Sequence, residues 1–570
     1  METLTFAKDL SSPQEIGVLY SVQKRILDLL KITYHNFSQD RLNSTNSGYG
    51  RLGNDGIDVE LLLSSFTFWM NGFLSLFTIV TLLSLVFYAI THWTRTARLL
   101  NKFPGPRQLP FLGNFTMILG PYEDLQGKIS KAISEYGLGT GSMRLWFGYK
   151  PVLVVANGKI AEKVLTGYAN VEKGDNYGAF HRVLNQSLVT APGPKWRKDR
   201  RSLNPAVGFQ YLDGFMKIFN EQAKILAEIM SETFNQDDEP DKFINLLPYF
   251  NRATMDSVFQ TVLGSKQEAQ RNPQLEFVEK MKGIVKVTRL KLLRPYLDFP
   301  VIWRLFGYGD EEEKCINALM NYSKVLIDAK FKEREETGAV TGTATRPFLA
   351  YLMDGTDDRE DIAYHINALM FAGAETTASG MNYLLFLLAL NPSVQNRLIE
   401  EVDVVFTSRL EDDQDVTVTQ ADLTDLKYTE CCIKEALRLY PPVAGWFRRI
   451  TKDVVLDDGK IIPRDAQVAI LPYEIHRNTE IFPDPERFDP DRFSPENRDK
   501  IPTGWWIPFS HGPRNCIGHR YAIMQMKTMM VKIFTRFTAH TKNTREELKM
   551  VYGLVLEPTP EIKITLKKRT

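Results

Sequence analysis

From Leu61 to Thr94 the chain carries no Asp, Glu, Lys or Arg, and no other feature restricts its fold so severely. The heart of this run, "FTFWMNGFLSLFTIVTLLSLVFYAI", reaches roughly 37 Å as a helix at ~1.5 Å per residue, which exceeds the about 30 Å of a bilayer's hydrocarbon. A buried core helix is the alternative, but charge-free runs of this length seldom serve soluble domains. The reading is a single transmembrane anchor over residues 66–90. Arg95, Arg98, Lys102 and Arg107 follow it, while Asp55, Asp58 and Glu60 beside one Arg51 precede it, so the positive-inside rule puts the C-terminal part in the cytosol. Residues 1–65 form an N-terminal extension. It is lumenal, with glycosylation sequons at Asn36 and Asn43, or it is missing from the mature protein if synthesis starts at Met70.

After the anchor, "FPGPRQLPFLGN" at 103–114 cannot continue a helix and predicts a stiff, extended linker. Residues 115–570 show no repeat or second linker and read as one large domain. The net charge of +1 gives no global pull toward nucleic acid, and no nucleic-acid partner is expected. Four cysteines without a C-x-x-C pair argue against a disulfide framework. The pattern is mostly α with a small β portion. "EDIAYHINALMFAGAETTASGMNYLLFLLAL" predicts a buried helix entered through a capping box of Asp357 and Glu360 and stopped at Asn391-Pro392. "WFRRITKDVVLDDGKIIPRDAQVAILPY" reads as short strands around an Asp-Gly turn. A last helix is expected from Gly518 to Phe537, with Ala522, Met526, Met529, Ile533 and Phe537 on one face.

The loop "FSHGPRNCIG", Phe509 to Gly518, stands just before that helix, where unpaired N–H groups and the dipole favour a thiolate at Cys516. Gly512 and Gly518 let the backbone approach a large flat group, Arg514 can hold an anionic substituent of it, and Phe509 can shield the sulfur. A thiolate facing a flat, anionic, iron-bearing partner means haem, with Cys516 as the metal ligand. Zinc held by Cys516, His511 and the Cys431-Cys432 pair is a weaker alternative, since adjacent cysteines rarely chelate one tetrahedral ion.

The spacing F-x-x-G-x-R-x-C-x-G at Phe509, Gly512, Arg514, Cys516 and Gly518 resembles the cytochrome P-450 superfamily of haem-thiolate monooxygenases. "MFAGAETTASGMNYLLFLLALNP" and "IPFSHGPRNCIG" look most like its family 4, the fatty-acid ω-hydroxylase branch. The resemblance implies that Glu375 and Thr376 are the catalytic acid-alcohol pair that delivers protons for O–O cleavage. Gly373 and Thr376 together also predict a local opening of the helix. It assigns Trp196, Arg200, Arg449 and Arg514 to a haem propionate, and "EALR" with "FDPDRF" to a structural cluster of Glu435, Arg438 and Arg492, which fits the family spacing better than Arg487. Lys195, Arg197 and Lys198 read as solvated charges able to dock an acidic redox partner.

Many members of that branch esterify a Glu to the haem, and here the position holds Ala372, so the haem b is expected to be non-covalent. The expected partners are NADPH-cytochrome reductase, cytochrome b5 as a further donor, O2, membrane lipid and an apolar substrate. The expected place is the endoplasmic reticulum membrane, single-pass. A peroxide-rearranging enzyme and a non-catalytic haem carrier are the competing readings, and Thr376 argues against the first.

Overall fold

The computed structural model describes residues 59–569 except 138, 168–169, 209–210, 235–241, 295–296, 298–299 and 411–415. Asn36 and Asn43 lie outside the described residues. The first described helix, α1 (Val59–Trp93), contains a span long and apolar enough to cross a membrane at Trp69–Trp93, whose most apolar part is not buried by the protein, while Thr91 near its end is. It ends where Thr94 caps the short helix Arg95–Leu100 by accepting from Ala97 N. There Arg95 pairs with Asp453 at 2.5 Å and Ala97 and Leu100 are fully buried, which ties the anchor to the globular body.

The proline-rich stretch is docked rather than free-standing. Pro104 O accepts from Arg144 N at 2.8 Å, and Asn114 Oδ1 accepts from Trp146 N at 2.8 Å. Gly113 is required at its position, because its φ is +63° and a Cβ there would stand 2.2 Å from Trp146 O. The strand it lies along, β1 (Ser142–Phe147), belongs to a four-stranded sheet of order β1-β2-β6-β3. β2 (Lys150–Val155) runs antiparallel to β1, β6 (Gln467–Ile470) parallel to β2, and β3 (Trp446–Arg449) antiparallel to β6. Asp458 and Gly459 turn the hairpin of β4 (Val454–Val455) and β5 (Ile461–Ile462). β7 (Phe537–Thr541) pairs with β10 (Ile564–Lys568), and β8 (Lys549–Val551) with β9 (Glu557–Thr559).

Helices make up the rest, and five beyond the anchor frame the site: α2 (Gly193–Leu203), α3 (Leu247–Val258), α4 (Arg359–Leu390), α5 (Lys427–Leu439) and α6 (His519–Phe534). The main apolar core surrounds α4, whose residues Met381 to Leu388 are all buried. That explains a sequence without charge in this half of the helix, because an unpaired charge there would be desolvated on every side.

Three expectations need correction. The N-cap of α4 is Asp358, which accepts from Glu360 N and Asp361 N at 3.0 and 3.1 Å. Asp357 pairs instead with Arg334. Phe537 is not on the last helix but opens β7, after α6 ends at Phe534. Finally, α4 runs unbroken through Gly373 and Thr376: the Thr376 hydroxyl adds a bond to Ala372 O at 2.6 Å without interrupting the helix.

Candidate active site

The cysteine loop is closed by Cys516 N donating to Phe509 O at 2.9 Å and Asn515 N donating to Gly512 O at 3.2 Å. Gly512 sits at φ +71°, and a Cβ there would lie 2.1 Å from Leu165 O. Its lack of a side chain therefore serves contact with another part of the protein, and it is absent from the cavity wall. Gly518, the N-cap of α6, does face the cavity and leaves its Cβ position open, with Cys516 Sγ at 3.9 Å as the nearest atom. Phe509 packs on His519 with ring centroids 4.3 Å apart and also lines the cavity.

Cys516 is exposed into a cavity of about 350 Å³. Burial holds its thiol above the ordinary value, against the opposing pull of Gly518 N–H and Arg200. The helix terminus alone does not make a thiolate here, and a bound metal cation is what would.

At one end of the cavity stand Lys173, Arg448 and Arg514. Arg514 donates to Val171 O at 2.5 Å and Ala191 O at 2.7 Å, while its buried Nε has no partner. Burial, then Arg448, pushes its pKa down to about 9. Burial also lowers Arg448, against the Tyr177 hydroxyl. Lys173 is held well below its ordinary value by burial and then by the two arginines, and donates to Tyr177 OH at 3.0 Å. Among the described residues no Asp or Glu lines this cavity. Glu172 behind the wall acts on Arg514 alone of the three, and three buried cations with so little counter-charge are costly, so the arrangement fits a ligand that brings its own negative charge.

Pro194 in its first turn starts α2, and the four-residue spacing puts Trp196 and Arg200 on one face. Trp196 is buried with Arg514 Cζ 5.2 Å from its ring centroid. Arg200 braces the cysteine loop through Asn515 O at 2.8 Å and Asn515 Oδ1 at 3.0 Å. Lys195 is not a solvated charge: it bridges Asp199 at 2.9 Å and Asp361 at 3.2 Å, joining α2 to α4.

Arg449 is a correction. Its side chain is half exposed and pairs with Asp465 at 3.0 Å, away from the cavity, whereas neighbouring Arg448 is buried and lines it. Strand alternation decides between the two, because side chains two apart share a face and Arg448 shares that of buried Trp446. Sequence reasoning also missed Lys173 and Tyr177, which only the path of the chain brings here.

Glu435 accepts from Arg438 Nε at 2.7 Å and Nη2 at 2.9 Å, and Arg492 Nε stands 3.4 Å away. Arg487 contributes only its carbonyl, to Arg438. On α4, Thr376 lines the cavity and Glu375 follows Ala374 into surroundings that push its pKa up to about 7, through burial first and then Glu557. The zinc reading fails: among the described residues no three His, Cys, Asp or Glu side chains gather as a metal site. Cys431 and Cys432 are buried in α5, where burial raises both thiols.

The sequence model of the cytochrome P450 family matches residues 103–566. The chain belongs to the cytochrome P450 family. Among curated relatives, cytochrome P450 4c3 of Drosophila melanogaster is 31% identical over 90% of this chain and 98% of its own length. Cytochrome P450 4V2 of Homo sapiens is 33% identical over 75% and 82%, and cytochrome P450 4c21 of Blattella germanica 30% over 87% and 99%. The P450 is thus of the family 4 branch and a haem-thiolate monooxygenase. The residues present fit haem: a sulfur exposed into the cavity, and beside it buried cations awaiting an anion.

Proposed function

We propose that this P450 inserts one oxygen atom from O2 into a C–H bond of a fatty-acid or similar lipid-like substrate, with electrons from a separate NADPH-cytochrome reductase and cytochrome b5 as a further donor. The observation that carries the reading is the cavity wall. Away from the cations it is apolar, with Phe180, Phe348, Leu369, Phe371, Val443 and Leu554. Such a wall favours a hydrocarbon chain and offers a cationic group no partner.

Haem, when bound, supplies the redox chemistry and oxygen activation. Cys516 would hold the iron, Arg448, Arg514 and Trp196 the propionates, with Arg200 bracing the loop and Phe509 and Gly518 beside the sulfur. We infer haem b without a covalent link, since Ala372 and its neighbours on the wall offer no carboxyl to esterify; acid-acetone should extract it. Glu375 and Thr376 would move the protons. A carboxyl titrating at about 7 can both give and take a proton at neutral pH. The Thr376 hydroxyl donates its own hydrogen to Ala372 O and keeps its lone pairs to accept one from a water in the cavity.

The anchor α1 supports a single-pass place in the endoplasmic reticulum membrane with the domain in the cytosol. Loss of gel mobility differences on endoglycosidase treatment, traced to Asn36 and Asn43, would show the extension to be lumenal. The reduced, CO-bound absorption spectrum followed by substrate-induced shifts with a fatty-acid panel tests the function. A normal spectrum with no shift for any lipid would remove the substrate class, and NADPH consumption that ignores substrate would favour a carrier.

A further inference from the structure

One face of α3 is pressed against the turn of α4 that carries the acid-alcohol pair. Asn251, Thr254 and Val258 recur at spacings of three and four and so share that face. A Cβ on Gly373 would lie 2.9 Å from Val258 Cγ2, so the glycine is what lets the two helices approach there. Thr254, fully buried, brings its Oγ1 to 3.0 Å from Ala374 O, a carbonyl of the turn itself, which shares the one hydroxyl hydrogen with Phe250 O at 2.9 Å and Asn251 O at 3.1 Å on its own helix. Asn251, one turn before Thr254 on the same face, acts on the Glu375 carboxyl as a donor that favours its ionised form, while its Oδ1 is buried with no partner. Beyond Val258 the helix widens into one π turn, Phe259–Leu263, whose Thr261 reaches the cavity.

The two ends of an amide suit the two states of a carboxyl. Nδ2–H donates to a carboxylate, and Oδ1 accepts from a carboxylic acid. The orphaned Oδ1 is the acceptor that the protonated form would need. Thr376 meanwhile donates to Ala372 O, and the Thr254 hydroxyl packs on Ala374 O, on either side of Gly373, so that both flank the backbone from which Glu375 projects.

We propose that Asn251 and Thr254 are positioning residues for proton delivery, holding the Glu375 carboxyl in both protonation states and the Gly373–Thr376 turn in one conformation. The inference rests on Glu375 and Thr376 delivering protons as proposed above. The charged groups that act on Glu375 are Glu557, which favours its protonated form, and Lys282, which favours the ionised one; Asn251 works with Lys282.

The test uses the full-length holoenzyme with reductase. Wild type, E375Q, N251L, T254V and T254S are compared for product formed per NADPH, for hydrogen peroxide released, and for the pH dependence of that ratio, with the CO-bound spectrum as a check on the haem site. N251L and T254V should keep the spectrum and KM but lose yield by roughly threefold or more, and T254S should restore it. N251L should also move the pH midpoint up, because Asn251 favours the ionised form, by less than the about one unit that a lone hydrogen bond to a charged acceptor is worth, since the bond to the acid is lost as well. In the E375Q background N251L should add nothing. If N251L does not incorporate haem, the isosteric N251D must shift the midpoint in the same direction, since it exchanges a donor for a second carboxyl. A shifted E375Q profile beside unshifted N251L and T254V profiles overturns the role of α3 alone. An E375Q enzyme with unchanged yield and profile overturns the proton-delivery reading on which it stands.

Discussion

Exchanging Arg448 for Gln should separate two opposite consequences of one buried charge. In the haem-free protein Arg448 is buried with Arg514 and Lys173 acting on one another as like charges and no carboxylate on the cavity wall, so R448Q relieves repulsion and should raise the apoprotein's melting temperature. In the holoprotein, if Arg448 holds a propionate as proposed, the same change would remove a charge-assisted hydrogen bond, a loss of ~1.5–3 kcal/mol. That corresponds to haem binding weakened by about 10- to 150-fold. The control is R449Q. Its guanidinium pairs with Asp465 at a half-exposed site, where such pairs contribute about 0–1 kcal/mol, and haem affinity should not move. Transfer of haem to excess apomyoglobin measures the release rate, and calorimetry of the apo and holo forms measures the two shifts. If R449Q loses haem as fast as R448Q, or if R448Q destabilises the apoprotein, the account of the cation cluster is wrong.

Glu375 should make stability fall as pH rises: the native carboxyl keeps its proton up to about 7 while an ordinary one releases it near 4.5, so the unfolded chain binds fewer protons across that window and gains relative to the native state. Denaturant titrations from pH 4.5 to 7 should show this slope, and E375Q should flatten it. G512A should fail to assemble the haem site, because a Cβ at φ +71° would stand 2.1 Å from Leu165 O, whereas G518A meets no protein atom nearer than 3.9 Å and should fold with an altered haem spectrum. A372E puts a carboxyl on a wall that has none, and haem that then survives acid-acetone would show that this one side chain decides covalent attachment. C516S should fold but lose the thiolate-type CO spectrum together with turnover.

What could be read in advance was local. The cysteine loop declares itself within ten residues, and α4 announces its burial by lacking charge and its end by Asn391-Pro392. Where two adjacent residues compete for one role, the sequence carries the chemistry but not the phase. Asp357 and Asp358 are equal as caps until the first turn picks one, and Arg448 and Arg449 are equal as cations until β3 turns one inward. That strand is four residues long and opens Trp-Phe, so its apolar pattern does not mark a face. Gly512 shows a different gap: it looks like room for a cofactor, yet the atom it makes room for belongs to Leu165, in a segment far away along the chain.

The cation cluster shows why such distant relations matter to the reaction. Lys173, Arg448 and Arg514 come from three separate segments, and each alone would read as a surface charge. Folding brings them together at a cost, since burial lowers the pKa of all three. A negative group entering the cavity removes that cost, so part of its binding energy is stored in the fold before it arrives. The requirement for an anion beside Cys516 is therefore a property of the assembled charges. It follows that neutralising Arg448 should narrow the gap in melting temperature between apo and holo protein from both sides at once, whereas Arg514 also holds the carbonyls of Val171 and Ala191 and its loss should lower both forms. A change at Arg200, whose guanidinium is already bonded to Asn515 and Asn204, should narrow the gap only by loosening the loop of the holo form.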